Sequence, residues 1–122
     1  MIKLLEHTRR PDITFCRNGR ILITARVARI LSLHPGDTIN VAYIDREYLL
    51  YAVHHDNAIG RHVAQCYPTK KRSRNYCANS VELCRSMLSI AKVNTDRVSL
   101  MAGEPFTLGD TVYIPIITQC PL

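Results

Sequence analysis

The sequence lacks any long hydrophobic run, which argues against a membrane-spanning helix. No apolar stretch approaches the roughly 20 residues that a helix needs to cross a bilayer. The amino-terminal stretch does not suit a signal peptide either, because Glu6 stands where an apolar core is needed. We therefore expect a cytoplasmic protein with no membrane partner.

The recognised motifs of metal, nucleotide and catalytic sites are also missing. There is no Cys-x-x-Cys motif, and His54 and His55 are adjacent rather than spaced as metal ligands. The five glycines are isolated turn residues and form no phosphate-binding loop. A small cysteine-dependent enzyme has little support, because no motif selects a cysteine with its base. We predict no catalytic residue, no metal, no cofactor and no small-molecule substrate.

The bulk composition is that of an ordinary globular domain with an excess of basic residues. The chain has 122 residues, of which 47% are hydrophobic and 21% charged, so a single domain is expected. Its five cysteines are an odd number at irregular spacing, which fits reduced thiols better than a disulfide framework. The net charge is +6 and the pI is near 9.3, which favours a polyanionic partner.

The first half of the chain reads as hairpin, short helix and hairpin. Residues 1–11 form a lead-in, either an edge strand or a loosely held arm. An alternating strand then reaches the Asn18-Gly19 turn, the strongest hairpin signal present. Thr24 is placed to cap a short helix with Val27, Ile30 and Leu31 on its apolar face. His34-Pro35-Gly36-Asp37 ends that helix, and two strands follow around a turn at residues 45–47.

The second half repeats this order with a basic insertion. A strand-like stretch at residues 61–67 precedes the dense basic run, and residues 75–78 are predicted to enter a helix. Asn79 and Glu82 are spaced as a capping box for that helix. Its apolar stripe comprises Val81, Cys84, Met87 and Leu88. Strands are predicted at residues 98–101, 106–108 and 111–118, and Pro115 places the last one at a sheet edge or a bulge.

The stretch from Gly19 to Asp37 resembles the AbrB-like (SpoVT-AbrB, swapped-hairpin) DNA-binding family. The matching positions are Gly19-Arg20, Ile21-Leu22-Ile23, Arg29, Leu31-Ser32-Leu33 and Gly36-Asp37. The chain departs from the family pattern at Thr24, where proline is usual, and at Ala28, where one arginine of a pair often stands. The resemblance covers a third to two fifths of the chain. It implies a strand-exchanged β fold that contacts duplex DNA.

An internal repeat is predicted from a shift of 57 positions, which aligns Arg17-Asn18 with Arg74-Asn75 and residues 30–33 with 87–90. A unit of about 50 residues buries too little apolar surface to be stable alone, so two units should pair. We predict a mainly β fold with two short helices: an AbrB-like tandem repeat that forms a pseudo-twofold intertwined β-barrel. Residues 1–122 would be one compact domain, with halves at 12–56 and 66–120.

Two functions remain open at this point, and neither is an enzyme. The first is a DNA-binding transcriptional regulator; the alternative is a protein-interaction module, antitoxin-like or for assembly, with the same fold and no DNA binding. The resemblance implies DNA contacts by Arg20 and Arg29, and Arg17 and Arg26 are nearby. The basic run suggests phosphate contacts by Lys70, Lys71, Arg72 and Arg74. The competing interpretation of Arg17, Arg20, Arg26 and Arg29 is that they are solvated helix and turn residues. The competing interpretation of the basic run is a flexible charged connector between the halves. A homodimer is compatible with either function.

Overall fold

The computed structural model describes residues 11–55, 64–119 and 121, which contain nine strands and two helices. Residues 1–10 of the predicted lead-in, and residues 61–63 of one predicted strand, lie outside them. In chain order the elements are β1 (Ile13–Cys16), β2 (Arg20–Ile23), α1 (Ala25–Ile30), β3 (Thr38–Ile44), β4 (Glu47–Val53), β5 (Tyr67–Pro68), β6 (Tyr76–Asn79), α2 (Val81–Ile90), β7 (Arg97–Ala102), β8 (Phe106–Leu108) and β9 (Thr111–Ile117). The mainly β class with two helices is therefore confirmed.

The nine strands form one antiparallel sheet that curls into a half-barrel. Its strand order is β3-β4-β9-β7-β1-β2-β6-β5, and β8 pairs with β9 beside this path. The order alternates in pairs between the first and second halves of the chain. β1 pairs with β7, and β2 pairs with β6, so each half supplies hydrogen-bonding partners to the other.

The turn between β1 and β2 forms where the sequence predicts it. Gly19 has a φ of +104°, a conformation that side chains disfavour, and its N–H donates to Cys16 O at 2.8 Å. A Cβ at Gly19 would lie 2.8 Å from Cγ2 of Val81 at the start of α2. Glycine is therefore required both by the turn and by the close approach of the other half.

Both helices are short, and their first turns are capped in different ways. Thr24 precedes α1, but its hydroxyl donates to Asp12 O instead of capping the helix. The predicted caps of α2 were wrong: residues 76–79 form a strand, and Ser80 accepts the N–H of Leu83 through its hydroxyl. The stripe prediction holds for three residues of α2, whereas Val81 is exposed.

One apolar core lies between the sheet and the helices. It joins residues of both halves, including Phe15, Ile21, Val27 and Leu31 from the first, and Cys84, Met87, Leu88 and Leu100 from the second. Aromatic residues outside the core form cross-strand pairs. Tyr43 lies against Tyr48 with ring centroids 4.7 Å apart, and Phe106 stacks on Tyr113 at 5.8 Å.

The sheet-edge prediction for Pro115 was wrong. β9 lies inside the sheet, where Pro115 is opposite Leu49 of β4. Pro115 is tolerated because, on its other side, the partner of β9 changes from β8 to β7. There the Pro115 carbonyl accepts the N–H of Gly103 at 2.8 Å, just past the end of β7.

Neither helix of the described residues is long and apolar enough to span a membrane.

Candidate nucleic-acid interface

One groove, the α1 groove, lies between α1 and the loop that joins β5 to β6. Its lining residues are Ala25, Ala28, Arg29, Ser32, Leu33, His34, Ser73, Arg74 and Tyr76. The Asn75 side chain binds the two elements together, because its Oδ1 accepts the N–H of Ala25 at 2.8 Å. The groove therefore brings Arg29, at the end of α1, beside Arg74, from the basic run.

The β5–β6 loop that carries the basic run is internally hydrogen-bonded. Thr69 N donates to Asn75 O, and Ser73 N donates to Lys70 O. The Ser73 hydroxyl accepts both the Thr69 hydroxyl and the N–H of Asn75. The basic run therefore lies in a hydrogen-bonded hairpin loop between β5 and β6. Its Lys70, Lys71, Arg72 and Arg74 side chains are exposed.

A second groove, the α2 groove, lies between α2 and the β1–β2 turn. Its lining residues are Cys16, Arg17, Asn18, Arg85, Asp96 and Arg97. The N–H of Ser80 donates to Gly19 O at 2.8 Å, which joins the start of α2 to this turn. Arg17 is further fixed, because its Nη2 donates to Thr95 O at 3.0 Å. Arg85 is an addition that the sequence predictions did not include.

The two grooves share a pair of arginines, one from a helix and one from a hairpin, and Arg97 adds a third arginine to the α2 groove. Arg29 is the fifth residue after the N-cap Thr24, and Arg85 is the fifth after the N-cap Ser80. Arg29 shares the α1 groove with Arg74, and Arg85 shares the α2 groove with Arg17. In each case the second arginine comes from a hairpin of the other half. The 57-position shift aligned Arg29 with Ser86 instead. Counted from the two helix starts, Arg29 corresponds to Arg85.

The remaining predicted arginines lie outside both grooves. Arg20 is exposed at the start of β2. Arg26 forms an ion pair with Asp12, with Nη1 3.0 Å from Oδ1. The Asp12 carboxylate is buried and also accepts the N–H of Ala102. Arg26 thus neutralises a buried carboxylate, and this structural task competes with a role in phosphate binding.

The buried cysteines have the electrostatics of structural thiols. Burial, together with the negative charge of Asp37, raises the pKa of Cys66 to about 12. Burial also raises the pKa of Cys84 to about 11. A catalytic thiol needs the opposite shift, because the thiolate is the nucleophile. These two residues are therefore poorly suited to nucleophilic catalysis at neutral pH.

A cluster of three polar residues was not predicted from the sequence. His34, Asp37 and His54 place one ligand atom each within 4.8 Å of one another. His54 Nδ1 lies 2.6 Å from Asp37 Oδ2, and Asp37 is only 2% exposed. The three-residue spacing of His34 and Asp37 was a local signal, but no spacing rule could supply His54, which arrives from the end of β4.

The Asp37 carboxylate is held in its ionised form by its hydrogen bonds. Burial alone would raise its pKa, but the N–H of His34, the His54 ring and the N–H of His55 outweigh burial and lower the pKa of Asp37. The two main-chain donors lie 2.8 and 3.2 Å from the carboxylate oxygens. Asp37 therefore fixes the end of the α1–β3 turn against the end of β4.

Comparisons with known proteins return no match among family models, curated proteins or solved structures.

Proposed function

We propose that this chain is a DNA-binding protein of AbrB-like type, in which two related halves form a pseudo-twofold, intertwined β body. The alternation of strand pairs supports the intertwining. The matching starts of the two helices support a tandem repeat. The proposed role is a transcriptional regulator that grips duplex DNA through arginines on this body.

The observation that carries the proposal is the pair of grooves. Each presents one arginine from a helix and one from a hairpin of the opposite half. Guanidinium groups bind phosphate oxygens through paired N–H donors, so both grooves suit a phosphate backbone. Two such sites on one domain match a ligand with regularly repeated phosphates better than a single small anion.

The charges around the α1 groove strengthen this interpretation. Its lining residues include no carboxylate, and among the described residues no hydrogen bond or ion pair engages the Arg29 or Arg74 side chain. Lys70, Lys71 and Arg72 extend the same loop. These side chains retain their charge for a polyanion, and they contribute affinity without reading the base sequence.

Fluorescence anisotropy with labelled duplex DNA, titrated at several salt concentrations, tests the proposal. The variants are R29Q/R74Q for the α1 groove and R17Q/R85Q for the α2 groove. The control is R46Q/K92Q, which removes two exposed charges outside both grooves. Each groove variant should reduce the slope of log K against log salt by up to about 2, since each lost phosphate contact accounts for about 0.9.

Two results would contradict DNA binding by the grooves. One is wild-type affinity that does not depend on salt. The other is an equal loss of affinity in the groove variants and the control, which would mean that only overall charge matters. Circular dichroism of every variant checks that the fold is retained.

The alternative, a protein-interaction module, is favoured by one observation: large apolar side chains stand exposed on outer strands. Tyr43 of β3 and Leu108 of β8 are each 61% exposed, and Phe106 lies beside Leu108. A stoichiometric protein partner that still binds R29Q/R74Q and R17Q/R85Q, but not Y43S or L108S, would favour this function. Loss of partner binding in the arginine variants would speak against it.

A further inference from the structure

Three potential metal ligands converge where the α1–β3 turn meets the end of β4. His34 Nδ1 lies 3.8 Å from Asp37 Oδ2, and His54 Nδ1 lies 2.6 Å from the same oxygen. The two imidazole rings face each other edge to face, with centroids 6.2 Å apart. This is the only group of three or more such ligands found among the described residues.

The distances suit a small divalent cation. Zn²⁺ binds histidine nitrogen and carboxylate oxygen at about 2.0–2.2 Å, so tetrahedral ligand atoms lie about 3.3 Å apart. The two observed separations, 2.6 and 3.8 Å, bracket that value. All three ligand atoms lie within 4.8 Å of one another, and the His34 and His54 side chains, which are 77% and 54% exposed, have room to adjust toward tetrahedral separations.

The carboxylate is prearranged for this task, and the histidines are accessible. The N–H groups of His34 and His55 hold the Asp37 oxygens, as outer-shell donors do around ligating carboxylates. Asp37 is buried, so its position is fixed by the fold. The exposure of the two rings leaves solvent access from one side, where water can complete the coordination.

We propose that His34, Asp37 and His54 form a Zn²⁺ site with water as the fourth ligand. The cation takes the place of the hydrogen bond between His54 Nδ1 and Asp37 Oδ2, and His54 binds it as the neutral tautomer that carries its one ring proton on Nε2. The site joins the α1–β3 turn to the end of β4, so Zn²⁺ stabilises the folded chain. This proposal does not depend on DNA binding.

Isothermal titration calorimetry of chelator-treated, reduced protein with ZnCl₂ measures the affinity and stoichiometry. We expect one Zn²⁺ per chain, and Zn²⁺ affinity at least about tenfold weaker in H34Q and in H54Q. H55Q is the matched control, since it removes a neighbouring imidazole and retains the main-chain N–H that holds Asp37. Both ligand variants change exposed side chains, and circular dichroism checks their folding, because His54 also hydrogen-bonds the buried Asp37 carboxylate. D37N is a secondary test because Asp37 is buried.

The cysteines offer a competing location for the metal, and Co²⁺ distinguishes it. Cobalt held by nitrogen and oxygen gives visible d–d absorption without the intense near-ultraviolet sulfur-to-metal bands that thiolates produce. Visible bands that disappear in H34Q and H54Q support the site. Sulfur-to-metal bands, full Zn²⁺ affinity in both ligand variants, an equal loss in H55Q, or no Zn²⁺ binding by the wild type would each overturn it.

Discussion

The α1 and α2 grooves each pair a helix arginine with a hairpin arginine, on elements of different length, and Arg97 is a third arginine in the α2 groove alone. α1 has six residues and faces the longer β5–β6 loop, whereas α2 has ten residues and faces the tight turn at Gly19. In both, the helix arginine stands five positions after the N-cap, and the helix start contacts the opposite hairpin. The start of each helix, and not its length, therefore sets the position of its arginine.

The grooves differ in how much of their charge is already engaged. Arg17 in the α2 groove donates to Thr95 O, and Asp96 lines the same groove. The α1 groove has no lining carboxylate. We therefore expect R29Q/R74Q to weaken DNA binding more than R17Q/R85Q does. Equal losses would mean that Thr95 and Asp96 leave the α2 arginines fully available.

The largest effect on both grooves together is expected from Leu31→Ala. Leu31 is 3% exposed in the core that the two halves share, and truncating a buried leucine costs about 2–5 kcal/mol. The free energy of unfolding, from urea denaturation, should fall by that amount in one transition. Separate transitions for the two halves would contradict a shared core, because each groove would then depend on a core of its own.

Gly19→Ala should disturb the α2 groove selectively. The positive φ alone costs a non-glycine residue about 1–3 kcal/mol, and the new methyl group would lie 2.8 Å from Cγ2 of Val81. The control is Gly109→Ala, where φ is +63° and nothing lies within 4 Å of the added Cβ. Chemical denaturation should show a larger loss of stability for Gly19→Ala. An equal loss would remove the contact with Val81 as a cause.

Asn75→Ala is the corresponding test of the α1 groove. It removes the oxygen that accepts the first N–H of α1, and losing such a cap costs about 1 kcal/mol. The mutation should also release Arg74 from its place beside Arg29 and weaken DNA binding in the anisotropy assay. Asn94→Ala, an exposed position outside the groove, is the control. Unchanged stability in Asn75→Ala would show that this bond does not hold the groove together.

Acid should lower the stability of the fold where Asp37 holds the α1–β3 turn, because the pKa of Asp37 lies below its ordinary value of 3.8. A carboxyl with a depressed pKa contributes stability that is fully present above the unfolded pKa and lost as pH falls through the folded one. One proton limits the slope to about 1.4 kcal/mol per pH unit. The free energies of unfolding of wild type and Asp37→Asn, measured by urea denaturation from about pH 5 downward, should converge as pH falls. Parallel curves would exclude Asp37 as the source.

Local patterns predicted the elements well where a single residue decides the backbone. The Asn18-Gly19 turn, the break at Pro35-Gly36-Asp37 and the three tail strands follow from turn chemistry and period-2 alternation. The start of α2 was misplaced because Asn79 and Ser80 are both good caps, and only the pairing of β6 with β2 makes Asn79 a strand residue. Pro115 was misplaced because an interior strand can change partners beside it.

The candidate sites depended more on tertiary structure. The sequence identified Arg17, Arg29 and Arg74 as basic residues worth testing, but it could not pair Arg29 with Arg74 across the halves. It also could not bring His54 to Asp37, which is 17 positions away. The sequence alone gave most of the strands, the main turns and the excess of positive charge, because these depend on neighbouring residues, but it did not identify β6. Tertiary structure alone decided which charges share a groove and which histidines share a carboxylate, because such contacts depend on how distant strands pair in the sheet.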